Sequence, residues 1–141
     1  MNEPLPFSEI ARLPVVADNV AIALRTISAG DRVLIRQLVF EFAHTILEGH
    51  RFAVHRIRKG EPLLSWGLPF GLATRDLEPG EYVCNEKILR ALSERSVDFD
   101  LPKTPNFIDH RLAYKMDESK FEPGSQVQAS AAAPVFLGFP R

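Results

Sequence analysis

Short runs in which apolar residues recur at every second position dominate residues 15–85. In the first of them Val20, Ile22 and Leu24 alternate with alanines, and Val33 and Ile35 follow after a turn. Later pairs with the same spacing are Phe52 and Val54, Phe70 and Leu72, and Tyr82 and Cys84. A period of two is typical of half-buried strands. The pattern therefore predicts a mainly β domain rather than a helical bundle.

One turn pattern recurs between these runs. It reads aliphatic residue, two spacers, glycine, acid, any residue, aliphatic residue, and it occurs at 27–33, 57–63 and 77–83. Its glycine can adopt the positive φ that a tight turn often needs. Because the flanking aliphatic side chains then point into a shared core, the repeat predicts a compact, twisted all-β unit over residues 15 to about 85, which with the helix that follows makes a domain of residues 15–97.

Other patterns flank this unit. Residues 1–14 form a lead-in, with one or two helical turns predicted at 7–13 and ended by Pro14. A short amphipathic helix is predicted at 86–97. Asn85, directly before it, is either its N-cap or a substrate contact. The apolar face of this helix consists of Ile88, Leu89, Leu92 and Val97.

Residues 98–141 have a different composition, with five prolines that interrupt any long element. The stretch 126–133 is small and polar, as in a linker. The segment nevertheless keeps several large apolar side chains, so we expect parts of it to lie along the domain or a neighbour as an extended strap. The apolar run at 135–140 is typical of the entrance to a further domain.

Composition and charge exclude several function classes. The chain has 141 residues, 45% of them hydrophobic and 25% charged, and a net charge of −1. The absence of a basic patch argues against nucleic acid as a partner. No apolar run approaches the roughly 20 residues of a membrane span, and the N-terminus does not resemble a signal peptide. The single cysteine, Cys84, excludes an internal disulfide, and together these features predict a cytoplasmic location.

Several segments, in order, resemble the N-terminal SAF domain of the altronate/galactarate dehydratase family. The first is Asp-Asn-Val-Ala-Ile-Ala-Leu-Arg at 18–25, and the second is Gly-His-Arg-Phe-Ala at 49–53, which is similar to Gly-His-Lys-(Phe/Val)-Ala. The others are 57–74, the Gly-Glu turn at 80–83, and the closing 136–141, which is similar to the start of the catalytic region.

This resemblance implies a β-clip fold and a parent enzyme that removes water from an aldonate or aldarate to give a 2-keto-3-deoxy acid. It implies that the chain is an accessory domain, inactive alone, for a catalytic domain of the same polypeptide or a large lyase subunit. Association into a homo-oligomer stays open. The resemblance also implies a divalent metal, iron, manganese or magnesium, in the full-length enzyme.

Of the histidines His44, His50, His55 and His110, only His50 falls in a motif of the resemblance, Gly-His-Arg-Phe-Ala. Its imidazole titrates near neutral pH and suits acid–base work. We therefore take His50 as the candidate catalytic residue, with a local hydrogen bond in a turn as the alternative. No two histidines have a recognised metal-binding spacing.

The remaining candidates have two open roles each. Asp18 and Asn19 either form a turn before the first strand or line a polar substrate site. Cys84 is either a small buried hydrophobe or a metal ligand, because the family resemblance implies a strand of the form His-Val-His-x-His-Asn here. This chain has Tyr82-Val83-Cys84-Asn85-Glu86 instead. Three functions remain: a catalytic accessory domain, a substrate-binding or lid module, and a non-catalytic carbohydrate-binding or subunit-assembly β-clip.

Overall fold

The computed structural model describes residues 3–110 and Ser119, which form a mainly β structure with two short helices. Residues 111–118 and 120–141, with most of the predicted extended tail, lie outside the described residues. In chain order the elements are β1 (Leu5–Pro6), α1 (Phe7–Ile10), β2 (Ala11–Arg12), β3 (Val20–Ala23), β4 (Arg32–Ile35), β5 (Leu38–Glu41), β6 (Arg51–Ala53), β7 (Pro62–Ser65), β8 (Leu68–Ala73), β9 (Tyr82–Val83), α2 (Glu86–Glu94) and β10 (Phe107–Asp109).

Four copies of one glycine turn organise this part of the chain. The glycines have φ values of 90°, 84°, 86° and 89° and are Gly30, Gly49, Gly60 and Gly80. In each copy the N–H of the next residue donates to the carbonyl three positions earlier, as from His50 to Leu47 at 3.0 Å. The turns at Gly30, Gly60 and Gly80 match the predicted pattern. The turn at Gly49 was not predicted, because it has His50 where the others have an acid.

The turns are tied to the strands by their glycine N–H groups. These groups donate to the carbonyls of Phe42, Ala23, Ala73 and Ala53 over 2.7, 2.8, 2.8 and 2.7 Å, in chain order. Isolated bridges between Ile27 and Ile46 and between Ile57 and Leu77 pair the first turn with the second and the third with the fourth. A bridged pair of turns therefore flanks each of the β4–β5 and β7–β8 hairpins, and the same unit occurs twice in the domain.

The strands form three small sheets, ordered β1-β4-β5, β10-β8-β7 and β2-β3-β6-β9. All pairs are antiparallel except β1 with β4. The lead-in segment joins the sheets, because β1 pairs with β4 and β2 with β3. After α2 the chain returns as β10 along β8, where Gly71 leaves room for the ring of Phe107: a Cβ there would lie 2.4 Å from the ring.

Two apolar clusters lie under these sheets. In the first, the ring of Phe52 makes edge contacts with those of Phe42 and Phe7 at centroid distances of 5.0 and 6.4 Å. The second gathers aliphatic side chains around Leu63 and receives Phe107 from β10. Burial of such side chains contributes about 1.5–3 kcal/mol each, so packing rather than hydrogen bonding drives the fold. Of the alternating residues, Val33, Phe52, Val54, Tyr82 and Cys84 belong to the first cluster and Val20 to the second. Around β3 the expected faces are wrong, because Ala21 and Ala23 are buried whereas Leu24 is 47% exposed.

Helix α2 begins as predicted, because the side chain of Asn85 accepts a hydrogen bond from the N–H of Ile88 at 2.9 Å. It buries Leu92 and ends at Glu94, earlier than the predicted residue 97. The reason is local: Ser96 has a φ of 51°, which continues no right-handed helix. Among the described residues, neither helix has the length or apolar character required to span a bilayer.

We expect Asn106→Ala to destabilise the chain by roughly 2–4 kcal/mol. The buried Asn106 side chain accepts from the Cys84 N–H at 3.0 Å and donates to the Tyr82 carbonyl at 2.6 Å, so its loss leaves two backbone groups without partners. Urea unfolding followed by circular dichroism measures the change. The exposed Thr104→Ala in the same segment is the control and should stay within about 0.5 kcal/mol. Equal stability of both variants would contradict the role of Asn106.

Candidate functional site

A cavity of about 400 Å³ lies beside the second glycine turn. Its walls come from the start of β6, from β8, from the N-terminal end of α2 and from β10. Small-molecule sites commonly fall between about 300 and 1,000 Å³. The side chains that give this cavity its chemistry are His50, Arg51, Phe70, Asn85, Phe107 and Asp109.

His50 stands at the rim of the cavity, directly after Gly49 and before β6. Its Nδ1 atom shares a hydrogen bond with the Tyr82 hydroxyl, and the two rings meet edge to face at a centroid distance of 5.7 Å. Partial burial lowers the pKa of His50 below its ordinary value of 6.5, and the positive charges of Arg95 and Arg51 lower it further. The imidazole is therefore neutral at physiological pH.

Tyr82 opens β9 and is only 2% exposed. Burial raises the pKa of its hydroxyl far above the ordinary value of 10, and the neighbouring Cys84 adds to the shift. The hydroxyl therefore stays protonated and can donate a hydrogen bond to His50. Tyr82 was noted in the sequence only as a departure from a histidine-rich strand, and its partnership with His50 over 32 positions was not predicted.

Arg51 follows His50 and supplies a positive charge to the cavity wall. Its guanidinium carbon lies 5.4 Å from the centroid of the Phe70 ring, and its Nε donates to the Ser65 hydroxyl at 3.2 Å. No Asp or Glu side chain in the described part of the chain forms an ion pair with it. Sequence reasoning overlooked Arg51, although its place next to His50 in the Gly-His-Arg segment was an available signal.

Asn85 serves as the N-cap of α2 and also lines the cavity. While its carbonyl oxygen accepts from the helix, its Nδ2 donates to Asp109 at 2.8 Å. Asp109 also lies 3.4 Å from Lys87 Nζ, so its negative charge is partly offset. Of the sequence candidates, the structure thus brings His50 and Asn85 to one cavity.

Asp18 and Asn19 lie elsewhere, before β3, and bind backbone groups of β7 and the β7–β8 turn. The fully buried carboxylate of Asp18 accepts from the N–H groups of Val15, Trp66 and Gly67 at 3.1, 2.9 and 2.8 Å. The Asn19 side chain accepts from Leu64 N at 2.7 Å and donates to the carbonyl of Pro62 at 2.9 Å. These bonds give both residues a structural role in holding the hairpin.

Cys84 is 0% exposed and belongs to the first apolar cluster. Burial raises the pKa of its thiol to about 11, so the thiol is protonated at neutral pH. Within residues 3–110 and Ser119, no three His, Cys, Asp or Glu side chains converge so as to hold a metal ion. The described residues therefore do not fit a divalent-metal site built from this chain alone.

Known proteins match this chain over a region that includes the cavity residues from Gly49 to Ile88. The family model of the altronate/galactarate dehydratase SAF domain matches residues 15–91. Altronate dehydratase of Bacillus subtilis (strain 168) is 33% identical over 66 residues, which are 47% of this chain and 13% of that protein. Altronate dehydratase of Escherichia coli (strain K12) is 35% identical over 66 residues, again 47% of this chain and 13% of the relative.

We predict that His50 titrates below pH 6.5 in the folded chain. Between 6.5 and the lower folded pKa the unfolded chain binds the extra proton, so stability falls as the pH is lowered through this window. An NMR titration of the imidazole carbon-bound protons gives the pKa, and Arg95→Gln should raise it. Arg58→Gln, at an exposed position, is the matched control. A pKa at or above 6.5 would contradict the burial and charge argument.

The Cys84 thiol should resist modification in the folded chain. Because it is buried and its pKa is raised to about 11, a thiol reagent such as Ellman's reagent should label it at pH 8 only at the rate of unfolding. The same chain in guanidinium chloride, where the thiol is exposed, should be labelled at once. Rapid labelling under native conditions would reopen a metal-ligand role for Cys84.

Proposed function

Because the chain belongs to the altronate/galactarate dehydratase SAF domain family, we propose that it is the accessory domain of a sugar-acid dehydratase. The enzyme would be a hydro-lyase that converts an aldonate or aldarate, such as altronate or galactarate, to a 2-keto-3-deoxy acid. In this proposal the domain binds the substrate or closes the active site. Its partner is a catalytic domain of the same polypeptide or a separate large lyase subunit.

The observation that carries the proposal is the cavity beside the second glycine turn. The family match at 15–91 includes His50, Arg51 and Asn85, which line it together. A sugar acid combines a carboxylate with several hydroxyl groups. A guanidinium, a neutral imidazole and a side-chain amide are the groups that recognise such a ligand.

Dehydration of a hydroxy acid needs a base for the proton next to the carboxylate, stabilisation of the resulting anion, and help for the departing hydroxide. In this proposal His50 offers a neutral imidazole that can accept or donate a proton, and Arg51 offers a fixed positive charge. We assign the remaining groups to the catalytic partner. The chain alone is then a binding and positioning module.

A divalent metal, iron, manganese or magnesium, belongs to the proposal only for the full-length enzyme. When bound, such an ion would supply Lewis-acid chemistry. We place its ligands in the catalytic partner, because Cys84 is buried and protonated and the described residues contain no metal-holding cluster. In the full-length enzyme the cavity of this domain would contribute hydrogen bonds and a positive charge rather than metal ligands.

We also propose a cytoplasmic location, on the basis of the composition of the chain.

One observation favours the second candidate function, a subunit-assembly module. Leu38, Trp66 and Leu68 at the tips of the two β-hairpins are 62%, 55% and 68% exposed. Large exposed apolar side chains at hairpin tips are typical of surfaces that bind another protein. Such a surface would hold a catalytic partner or a second copy in a homo-oligomer, and this role is compatible with the first.

The test is turnover by the full-length protein on a panel of aldonates and aldarates, with added iron, manganese or magnesium. Formation of a 2-keto-3-deoxy acid is the readout. We expect one sugar acid to be converted by the full-length protein and none by the 141-residue chain assayed in parallel. No turnover of any panel member by the full-length protein would overturn the dehydratase assignment and leave the assembly role.

His50→Ala in the full-length protein separates catalysis from binding. A fall in kcat of about 100-fold or more with retained folding, as expected for a lost general acid–base group, assigns catalysis to His50. A rise in KM alone assigns binding. His55→Ala, at a histidine outside the cavity walls, is the matched control and should change neither constant.

A further inference from the structure

We propose that the cavity binds the carboxylate end of a sugar acid, with Arg51 receiving the carboxylate and His50, oriented by Tyr82, donating Nε2–H to an adjacent hydroxyl. The inference deepens the proposed function and rests on it for the identity of the ligand. It assigns to Arg51 the role of specificity determinant and to Tyr82 the role of positioning residue.

The guanidinium of Arg51 is held in place by two neighbouring side chains. Phe70 supports one face of the guanidinium and Ser65 binds its Nε, so the side chain is fixed before a ligand arrives. Within the described residues none of the ion pairs includes Arg51. A guanidinium in this state presents its terminal N–H groups for the paired contact that a carboxylate offers. Little conformational freedom is then lost on binding.

The charges around the cavity also favour an anion. Its acidic wall residue, Asp109, already binds Asn85 and lies beside Lys87. Arg95, at the C-terminal end of α2, acts on His50 together with Arg51. Of the two charged wall residues, Asp109 is thus already engaged by an amide and a cation, whereas the guanidinium of Arg51 has no carboxylate partner among the described residues, which favours an anion over a neutral polyol.

The hydrogen bond to Tyr82 bears on the tautomer of His50. The Tyr82 hydroxyl can donate to Nδ1 or accept from it; because a phenol O–H is a stronger donor than an imidazole N–H, we assign Nδ1 of His50 as the acceptor. In a neutral imidazole the other nitrogen, Nε2, then carries the proton. His50 thereby presents a hydrogen-bond donor with no net charge, which suits a hydroxyl oxygen next to the carboxylate held by Arg51.

The test is ligand binding to the whole 141-residue chain by NMR, with D-glucarate as the probe and D-glucitol as its uncharged counterpart of the same carbon skeleton. We expect glucarate to shift the amide signals of residues 49–51, 85 and 107–109, and glucitol to bind at least about tenfold more weakly. Equal binding of the two, or no shift at these residues, would overturn the proposal.

Three variants assign the roles. Arg51→Gln should weaken glucarate binding by at least about tenfold, since it removes charge-assisted hydrogen bonds, and Arg51→Lys should restore part of it. The exposed Arg58→Gln is the matched control and should bind as the unaltered chain does. Unchanged affinity of Arg51→Gln would remove Arg51 from the site.

Tyr82→Phe should change the ¹⁵N signals of the His50 ring from those of the Nε2–H tautomer to those of a tautomer mixture. This readout is insensitive to a merely structural role, and the retained amide spectrum shows that the variant folds. An unaltered tautomer would exclude Tyr82 as the positioning residue. Binding is measured here without turnover, so the two claims are tested separately. Glucarate binding by a full-length protein that dehydrates no sugar acid would overturn the proposed function alone. Turnover without binding at this cavity would overturn the inference alone.

Discussion

The glycine turn, with its N–H donated to a neighbouring strand, is the constraint on which the rest of this structure depends. Each of Gly30, Gly49, Gly60 and Gly80 has a φ between 84° and 90°, a backbone conformation that side chains with a Cβ rarely adopt. The turn reverses the chain, and the glycine N–H binds it to a strand that is distant in sequence. Strands of two to six residues, too short to be stable alone, are thereby held in register.

This frame also explains how the candidate site is assembled. The second turn leads into β6 and the fourth into β9. These strands pair antiparallel, with Phe52 opposite Tyr82 and Arg51 opposite Val83 in the register. His50 lies two residues before Phe52, hence on the same face and diagonal to Tyr82, within reach of its hydroxyl. Arg51 lies next to the Phe70 ring, and both Arg51 and His50, which precedes β6, line the cavity. One pair of strands therefore supplies both the oriented imidazole and the fixed guanidinium.

The sequence predicted the features that depend on local chemistry. Alternation around Val20 and Val33, the acid-containing turns and the cap at Asn85 all follow from neighbouring residues, and the structure contains them. Strands such as β1 and β10 have two or three residues, too few for a period to be recognised, and exist only through their partners β4 and β8. The bond between His50 and Tyr82 depends on the pairing of β6 with β9, and no pattern within either segment specifies it.

The altered strand at 82–86 has a physical consequence for function. The family resemblance implies histidines at positions 82 and 84, which both lie on the face of β9 that joins the first apolar cluster. Tyr82 and Cys84 fill that cluster instead, and burial keeps both protonated. Neither side chain is then an available base at neutral pH, and the Tyr82 hydroxyl is hydrogen-bonded to His50. The proposed site offers a held cation and a neutral hydrogen-bond donor, which suit the recognition of an anion better than the transfer of a proton.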